Sequence, residues 1–111
     1  MKSFTQKKCV PCEGNISPLS DEKENEYMLQ IPGWVLNRES VHHLSREFVL
    51  GDFKESMKFI HLIAELAEEE GHHPDIHIFY NKVKLELYTH AIKGLHDNDF
   101  ILAAKINEIK V

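Results

Sequence analysis

The sequence has little of several features that mark particular classes of protein. It contains 2 cysteines, too few for a disulfide-stabilised scaffold, and no apolar run near the roughly 20 residues that a membrane-spanning helix requires. Its opening residues lack the apolar core of a secretory signal peptide. With a net charge of -5 at pH 7, it has no excess of positive charge to attract nucleic acid or an anionic membrane. We therefore expect a cytoplasmic protein that binds neither nucleic acid directly nor a membrane.

The two cysteines form a single CxxC motif, Cys9 to Cys12, in a segment that also contains proline and glycine. A zinc site of four thiolates would need a second cysteine pair, and a thioredoxin-type motif should follow a strand and open a helix. We therefore expect reduced thiols on a turn-rich arm outside the core, residues 1–19. The 42% hydrophobic and 28% charged residues are typical of a single globular domain, which we place at residues 20–111.

N-cap residues and the spacing of apolar side chains predict three helices. These are expected from Asp21 to Gln30 after the cap Ser20, from Phe53 to about Glu70 after the cap Asp52, and from Asp97 or Asn98 onward. Gly71 in a left-handed conformation and the following Pro74 should end the second helix. The apolar face of that helix is predicted to consist of Phe53, Met57, Ile60, Ala64 and Ala67, widened by Ile63.

Two pairs of strands separate the helices. They are expected at residues 34–36 and 41–50, and at residues 76–80 and 83–89, with Asn81-Lys82 as the turn of the second hairpin. In the last strand Val83, Leu85 and Leu87 share one face, so that one side is buried and the other faces solvent or a partner subunit. The order helix, two strands, helix, two strands, helix favours an antiparallel sheet.

Histidines and carboxylates are concentrated where the second helix ends and the second hairpin follows. Gly71 and Pro74 hold His72 and His73 in a tight, non-helical exit, and His90 follows the last strand. Imidazole has an unperturbed pKa of about 6.5, so neighbouring histidines in different environments can act as proton donor and proton acceptor near neutral pH. The cluster therefore suits proton-transfer chemistry such as dehydration.

Two features of this cluster leave alternatives open. Glu68 lies four residues before His72, at the margin of the predicted apolar face, where a half-buried carboxylate could orient an imidazole or bind a substrate. It could equally be a solvated member of the acidic run that ends at Glu70. By strand alternation His90 should point away from the core, unless the chain bends near Thr89.

A zinc site is the rival chemistry, since His72, His73 and His90 with a carboxylate are all possible ligands. In the zinc motif HExxH, two histidines four residues apart lie on one helix, with a glutamate after the first. His73 and His77 have this separation, but Pro74 occupies the glutamate position and breaks the helix. We therefore expect no metal.

The ordered set of residues in this region resembles the signature of the pterin-4a-carbinolamine dehydratase family. The matching positions are Glu68, His72-His73-Pro74, Tyr80, His90 and Asp99. The resemblance extends to Cys9 to Gly14, Pro32 to Trp34, Gly51 to Phe53 and Asp99 to Ile106. It thus covers nearly the whole chain. The chain departs from some family members at Ile76 and Gly71, where those carry tryptophan and aspartate.

The resemblance implies an α+β fold, in which three helices cover one face of a four-stranded antiparallel sheet, and homo-oligomers that are dimers or tetramers. It also implies removal of water from 4a-hydroxytetrahydropterin, the product of aromatic amino-acid hydroxylases, to give the quinonoid dihydropterin. No metal or organic cofactor would be needed. Animal family members also act as dimerisation cofactors of a homeodomain transcription factor, so an interaction module is the alternative, as is a pterin role in molybdenum cofactor metabolism.

Carried over by position, the resemblance also implies roles for individual residues. His72, His73 and His90 would be the catalytic and substrate-binding imidazoles, with Glu68 supporting them; we expect His73 to be the acid and His72 or His90 the base. The expected substrate-binding residues are Pro74, Thr89, Ala91 and Asp99, of which Asp99 also resembles a helix-start carboxylate.

Overall fold

The structure is a computed structural model that describes residues 3–10 and 16–110. Cys12 and its neighbours from 11 to 15 lie outside the described residues. The helices are α1 (Asp21–Met28), α2 (Phe53–Glu70) and α3 (Asp97–Asn107), the strands are β1 (Val35–Asn37), β2 (His43–Val49), β3 (Asp75–Phe79) and β4 (Lys82–Leu87), and 3-10 turns span Phe4–Gln6 and His90–Ile92. This order confirms the predicted succession of elements and the α+β class. Across the described ranges, no helix combines the length and the apolar character that crossing a bilayer would require.

The four strands form one antiparallel sheet in the order β1-β2-β4-β3. In the central strand β4, the side chains of Val83, Leu85 and Leu87 are fully buried and belong to the same core as residues of α2 and α3. This confirms the alternation predicted for that strand. The second hairpin turns one residue earlier than predicted, at Tyr80-Asn81, because Phe79 pairs with Lys82.

The ends of α2 lie where the sequence predicts them. The Asp52 side chain accepts a hydrogen bond from the backbone N–H of Glu55, at 2.8 Å, and so caps the first turn. Gly71 has a φ of 68°, a left-handed conformation that glycine adopts without the steric cost paid by other residues. The helix therefore stops at Glu70, immediately before the two histidines.

The predicted apolar face of α2 is right at Ile63 and Ala67, which are buried, and wrong at the residues that face outward. Phe53 is 51% exposed, and Met57 and Ala64 also face outward. The buried residues of the helix are Ser56, Phe59, Ile63, Ala67 and Glu70. At 100° per residue, the centre of the observed buried face lies roughly a quarter turn of the helix from the centre of the predicted one. Polarity misled the prediction, because two buried positions are polar and have partners: the Ser56 hydroxyl donates to the Asp52 carbonyl, and the Glu70 carboxylate is paired as described below.

The sequence predicted that the cysteine-containing arm lies outside the core. This prediction is wrong, because the arm before α1 packs into the core. Phe4 is fully buried against the ring of Tyr27, and Cys9 is 8% exposed. The backbone N–H of Cys9 donates to a carboxylate oxygen of Glu70 at 2.9 Å, and Lys105 Nζ lies 2.7 Å from the other oxygen. Burial, followed by the charge of Glu70, raises the pKa of the Cys9 thiol to about 12, so it stays protonated at neutral pH. A domain boundary at residue 19 remains a prediction.

The corrected face of α2 can be tested with two matched substitutions. Phe59→Ala should lower the free energy of unfolding by about 3–5 kcal/mol, because the ring is 1% exposed and its removal leaves a cavity. Phe53→Ala, the same change on the exposed side, should cost less than about 1 kcal/mol. Chemical denaturation measures both. Equal losses from the two variants would contradict the packing described.

Candidate active site

Two histidines, His72 and His73, lie in the short segment between the end of α2 and the start of β3. The backbone N–H groups of Gly71 and His72 both donate to the carbonyl of Ala67, at 2.9 and 3.3 Å, which closes the last turn. Pro74 cannot continue a helix, and β3 begins directly after it. His72 and His73 are therefore held by the fold on both sides.

The chain bends where β4 ends. Thr89 pairs with Gly94 in an isolated antiparallel bridge, with the Thr89 N–H donating to the Gly94 carbonyl at 2.8 Å. The 3-10 turn His90–Ile92 lies between them, and the ring centroids of Tyr88 and His90 are 4.1 Å apart. The bend near Thr89 that the sequence left open is therefore present, and it takes His90 out of the strand alternation.

The two bends meet at one cleft of about 360 Å³, near the lower limit of the roughly 300–1,000 Å³ that small-molecule sites occupy. The cleft is lined by Val10, Gly71, His72, His73, Pro74, Asp75, Tyr88, Thr89, His90, Ala91 and Asn98. Six of the eight residues selected from the sequence are in this lining, including all three histidines. Glu68 and Asp99 are the two that are not.

Asp99 does not line the cleft, although the family resemblance suggested that it binds substrate. Its carboxylate is completely buried, with Oδ1 at 2.6 Å from Nε2 of His72. Oδ2 accepts hydrogen bonds from the hydroxyl of Thr89 at 2.9 Å and from the backbone N–H of His96 at 3.0 Å. A buried carboxylate is tolerated when such donors surround it.

This arrangement fixes the ring of His72. Because Asp99 accepts through Oδ1, a neutral His72 carries its hydrogen on Nε2 and keeps Nδ1 as an acceptor. The sequence also predicted Asp99 as a helix-start carboxylate, and this is confirmed, since its bond to the His96 N–H forms a capping box at the start of α3. One side chain thus serves both the helix and the histidine.

Glu68 is not half-buried, as its position on the predicted apolar face suggested. Its side chain is 77% exposed and contacts Nε2 of His73, which is itself 58% exposed. Solvent screens a pair of this kind, so its contribution to stability is small. The pair nevertheless places a negative charge beside one imidazole of the cleft.

Sequence reasoning missed several lining residues, among them Val10, Tyr88 and Asn98. The alternation of β4 already places Tyr88 on the face opposite the core, but nothing local shows that it stacks on His90. Val10 and Asn98 are 88 residues apart in sequence and could be found only from the tertiary structure. Tyr80, the aromatic residue of the family signature, lies instead at the exposed tip of the second hairpin.

Potential metal ligands converge elsewhere in the chain. Among residues 3–10 and 16–110, the group of three whose ligand atoms lie within 4.8 Å of one another is Asp21, Glu24 and His42. There Glu24 is buried, and it already accepts hydrogen bonds from Arg38 Nε at 3.0 Å and pairs with His42 Nδ1 at 2.9 Å. This group ties α1 to the first hairpin and does not contribute to the cleft.

A family model described as pterin 4 alpha carbinolamine dehydratase matches residues 17–109. The chain belongs to this family. A relative from Methylococcus capsulatus that carries the family's name is 43% identical over 107 residues, which cover 96% of this chain and 93% of that protein. Pterin-4-alpha-carbinolamine dehydratase 2, mitochondrial, from Arabidopsis thaliana is 40% identical over 114 residues, which cover 100% of this chain and 61% of that protein.

Solved structures show the same fold. A transcriptional coactivator/pterin dehydratase from Brucella melitensis superposes with a TM-score of 0.76 at 30% identity, over 82% of this chain and 96% of that one. A pterin dehydratase-like protein described as a RuBisCO assembly factor of the alpha-carboxysome has a TM-score of 0.59 at 23% identity, over 70% of this chain and 89% of that one. At that identity the second likeness concerns the fold alone.

The support that Asp99 receives can be tested without touching a histidine. Thr89→Val removes the hydroxyl that donates to the buried carboxylate, and it should lower the free energy of unfolding by about 1–3 kcal/mol, because a buried acceptor loses a donor. Thr5→Val removes an exposed hydroxyl that pairs with Ser3, and it should change stability by less than about 0.5 kcal/mol. Thermal or chemical unfolding measures both. If Thr89→Val changes the free energy of unfolding as little as Thr5→Val does, the hydrogen bond from Thr89 does not stabilise the buried carboxylate.

Proposed function

We propose that this protein removes water from 4a-hydroxytetrahydropterin to give the quinonoid dihydropterin, by histidine acid-base catalysis without a metal or organic cofactor. The observation that carries the proposal is the meeting of His72, His73 and His90 at one cleft, with a buried carboxylate bonded to the first of them. Membership of the family and relatives that bear its name support the same activity. We also propose that the protein works in the cytoplasm, on sequence grounds alone.

The reaction needs two proton transfers. One proton goes to the departing 4a-hydroxyl as the bond from C4a to oxygen breaks, and another leaves N5, whose electrons form the new double bond to C4a. Groups that donate and accept protons near neutral pH, held at fixed positions, accelerate such steps by about 10²–10⁴-fold each. The atoms balance as one water released.

The surroundings of the histidines suggest how the roles divide. The carboxylate of Glu68 contacts Nε2 of His73 and orients that ring at the cleft, and we assign His73 as the acid that protonates the hydroxyl. Asp99 holds His72 through Nε2 and leaves Nδ1 as an acceptor, an arrangement in which a carboxylate orients a general base. His90, stacked on Tyr88, would then bind the ring, with Pro74, Thr89 and Ala91 forming the adjoining wall.

Alanine variants test the assignment. His73→Ala, and separately His90→Ala, should lower the dehydration rate of 4a-hydroxytetrahydropterin by at least about tenfold, because the first removes the proposed acid and the second removes the group proposed to position the ring. The substrate is generated by a coupled aromatic amino-acid hydroxylase, in the presence of a chelator so that bound metal cannot supply the rate.

The matched control is His77→Ala, a histidine that pairs with Glu86 on the sheet and does not line the cleft; it should retain the wild-type rate. Wild-type rates from both cleft variants would overturn the assignment. A rate that the chelator abolishes and zinc restores would favour the metal mechanism instead.

The pathway that this activity serves is a further part of the proposal. We favour recycling of the pterin cofactor of aromatic amino-acid hydroxylases; pterin chemistry in molybdenum cofactor metabolism is the alternative. The Brucella melitensis protein is described as a transcriptional coactivator as well as a dehydratase, which favours an interaction role as the second candidate function. If the wild-type protein has no dehydratase activity, the enzymatic proposal is refuted and the interaction role becomes the favoured function.

We also propose that the protein is a homo-oligomer, a dimer or tetramer. The outward side of α2 carries an apolar patch lined by Lys54, Met57, Lys58, His61 and Leu62, in which the Met57 and Leu62 side chains are each 42% exposed. Exposed apolar groups that adjoin one another on a helix are typical of subunit interfaces. Of the residues that the sequence pattern assigned to the core, Met57 belongs to this patch.

Light scattering tests the oligomer. The wild-type protein should have the mass of a dimer or tetramer, and Leu62→Glu should reduce that mass, because a carboxylate in an apolar interface is costly to desolvate. Leu29→Glu places the same charge at the exposed end of α1 and should leave the mass unchanged. A monomeric wild-type protein, or an unchanged mass for Leu62→Glu, would refute the proposal.

A further inference from the structure

The end of the N-terminal arm forms one wall of the cleft through Val10. The side-chain amide of Asn98 holds the backbone of this residue on both sides, accepting from the Val10 N–H at 3.0 Å and donating to the Val10 carbonyl at 2.6 Å. Two bonds from one rigid amide fix both the position and the orientation of a residue. Val10 is therefore placed in the wall by the fold.

The same two segments that hold His72 also hold the arm. At the end of α2, Glu70 accepts from the backbone of Cys9, and His72 follows two residues later. At the start of α3, Asn98 holds Val10, and its neighbour Asp99 holds the ring of His72. The arm and the histidine are thus both held by the end of α2 and the start of α3.

Among residues 3–10 and 16–110, the side chain of Val10 is not part of the packed core. It is 56% exposed and does not belong to the hydrophobic core, whereas Cys9 beside it does. Its backbone secures the arm, and its isopropyl group is left as an apolar surface that a ligand in the cleft can contact.

Val10 also stands between two clefts. The second, of about 580 Å³, is lined by Gln6, Lys7, Lys8, Val10, His96, Asp97, Asn98 and Ile101. Val10 and Asn98 line both clefts. We therefore expect the size of the side chain at position 10 to affect how far a molecule in the histidine cleft can extend toward the second.

We propose that Val10 is a specificity-determining residue, which packs on the pterin and limits the size of the substituent that the ring can carry toward the second cleft. The inference rests on the proposed function, because it takes a pterin as the ligand. Contacts with one or two methyl groups discriminate between ligands by about 10–200-fold in a closed pocket, and by less where, as here, the side chain is partly exposed.

The test compares Val10→Ala and Val10→Phe with wild type, using 4a-hydroxy substrates made from 6-methyltetrahydropterin and from tetrahydrobiopterin, whose substituent is larger. Val10→Ala should raise the KM for the methyl substrate by about threefold to tenfold and leave kcat within about twofold, since the contact is uniform binding. The penalty should be smaller for the larger substrate. Val10→Phe should have the opposite effect, raising the KM for the larger substrate more than the KM for the methyl substrate.

Val49→Ala is the matched control, because Val49 is equally a partly exposed valine, but at the end of β2 and outside both clefts. A melting temperature close to wild type for Val10→Ala, together with the KM change, separates substrate contact from a structural role. Direct binding of 7,8-dihydrobiopterin, measured by fluorescence, gives a readout that does not depend on turnover.

Each outcome decides the inference. An active wild type with Val10→Ala indistinguishable from Val49→Ala overturns it and leaves the proposed function standing. An inactive wild type that binds the dihydropterin, with binding weakened by Val10→Ala and not by Val49→Ala, supports it and overturns the dehydratase proposal. A wild type that neither turns over nor binds pterin overturns both.

Discussion

The buried carboxylate of Asp99 is the interaction on which the candidate site depends. A charge in the interior is costly unless donors surround it, and here three groups from different parts of the chain do so: the ring of His72, the hydroxyl of Thr89 and the backbone N–H of His96. These donors come from the exit of α2, the end of β4 and the start of α3. By satisfying one carboxylate, the fold brings together the segments that line the cleft.

A second buried carboxylate, that of Glu70, is likewise surrounded by donors. Glu70 accepts from Cys9 and Lys105, and although burial opposes it, these hydrogen bonds hold the pKa of Glu70 below its usual range. The group therefore remains charged when buried and fastens the arm to α2 and α3. The proposed chemistry and the proposed wall at Val10 are thus both supported by buried carboxylates that do not line the cleft.

Local signals in the sequence predicted much of the fold. The cap at Asp52 and the left-handed Gly71 defined α2 to the residue, and alternation identified the buried face of β4, because both depend on neighbours in the chain. The predicted face of α2 was wrong in part because Ser56 and Glu70 are polar yet buried, and their burial depends on partners that no helical pattern displays. The outward apolar side is consistent with the proposed oligomer.

The histidines of the candidate site were predictable from the sequence, but the hydrogen bonds that hold them and several other lining residues were not. Spacing along a helix suggested that Glu68 supports the histidines from a half-buried position, whereas the buried partner of His72 is Asp99, 27 residues away in sequence. The arm was missed for the same reason, since the contact of Cys9 with Glu70 spans 61 residues. Contacts of such length follow from the packing of the whole chain.

A double-mutant cycle between Asp99 and His72 on the dehydration rate tests the account most directly. Asp99→Asn alone should lower kcat by at least about tenfold, because the ring of His72 loses the carboxylate that orients it. Added to His72→Ala, it should lower the rate by no more than about twofold further, provided that the variants are folded, since Asp99 acts through that ring. Losses that multiply in the double variant would contradict the account.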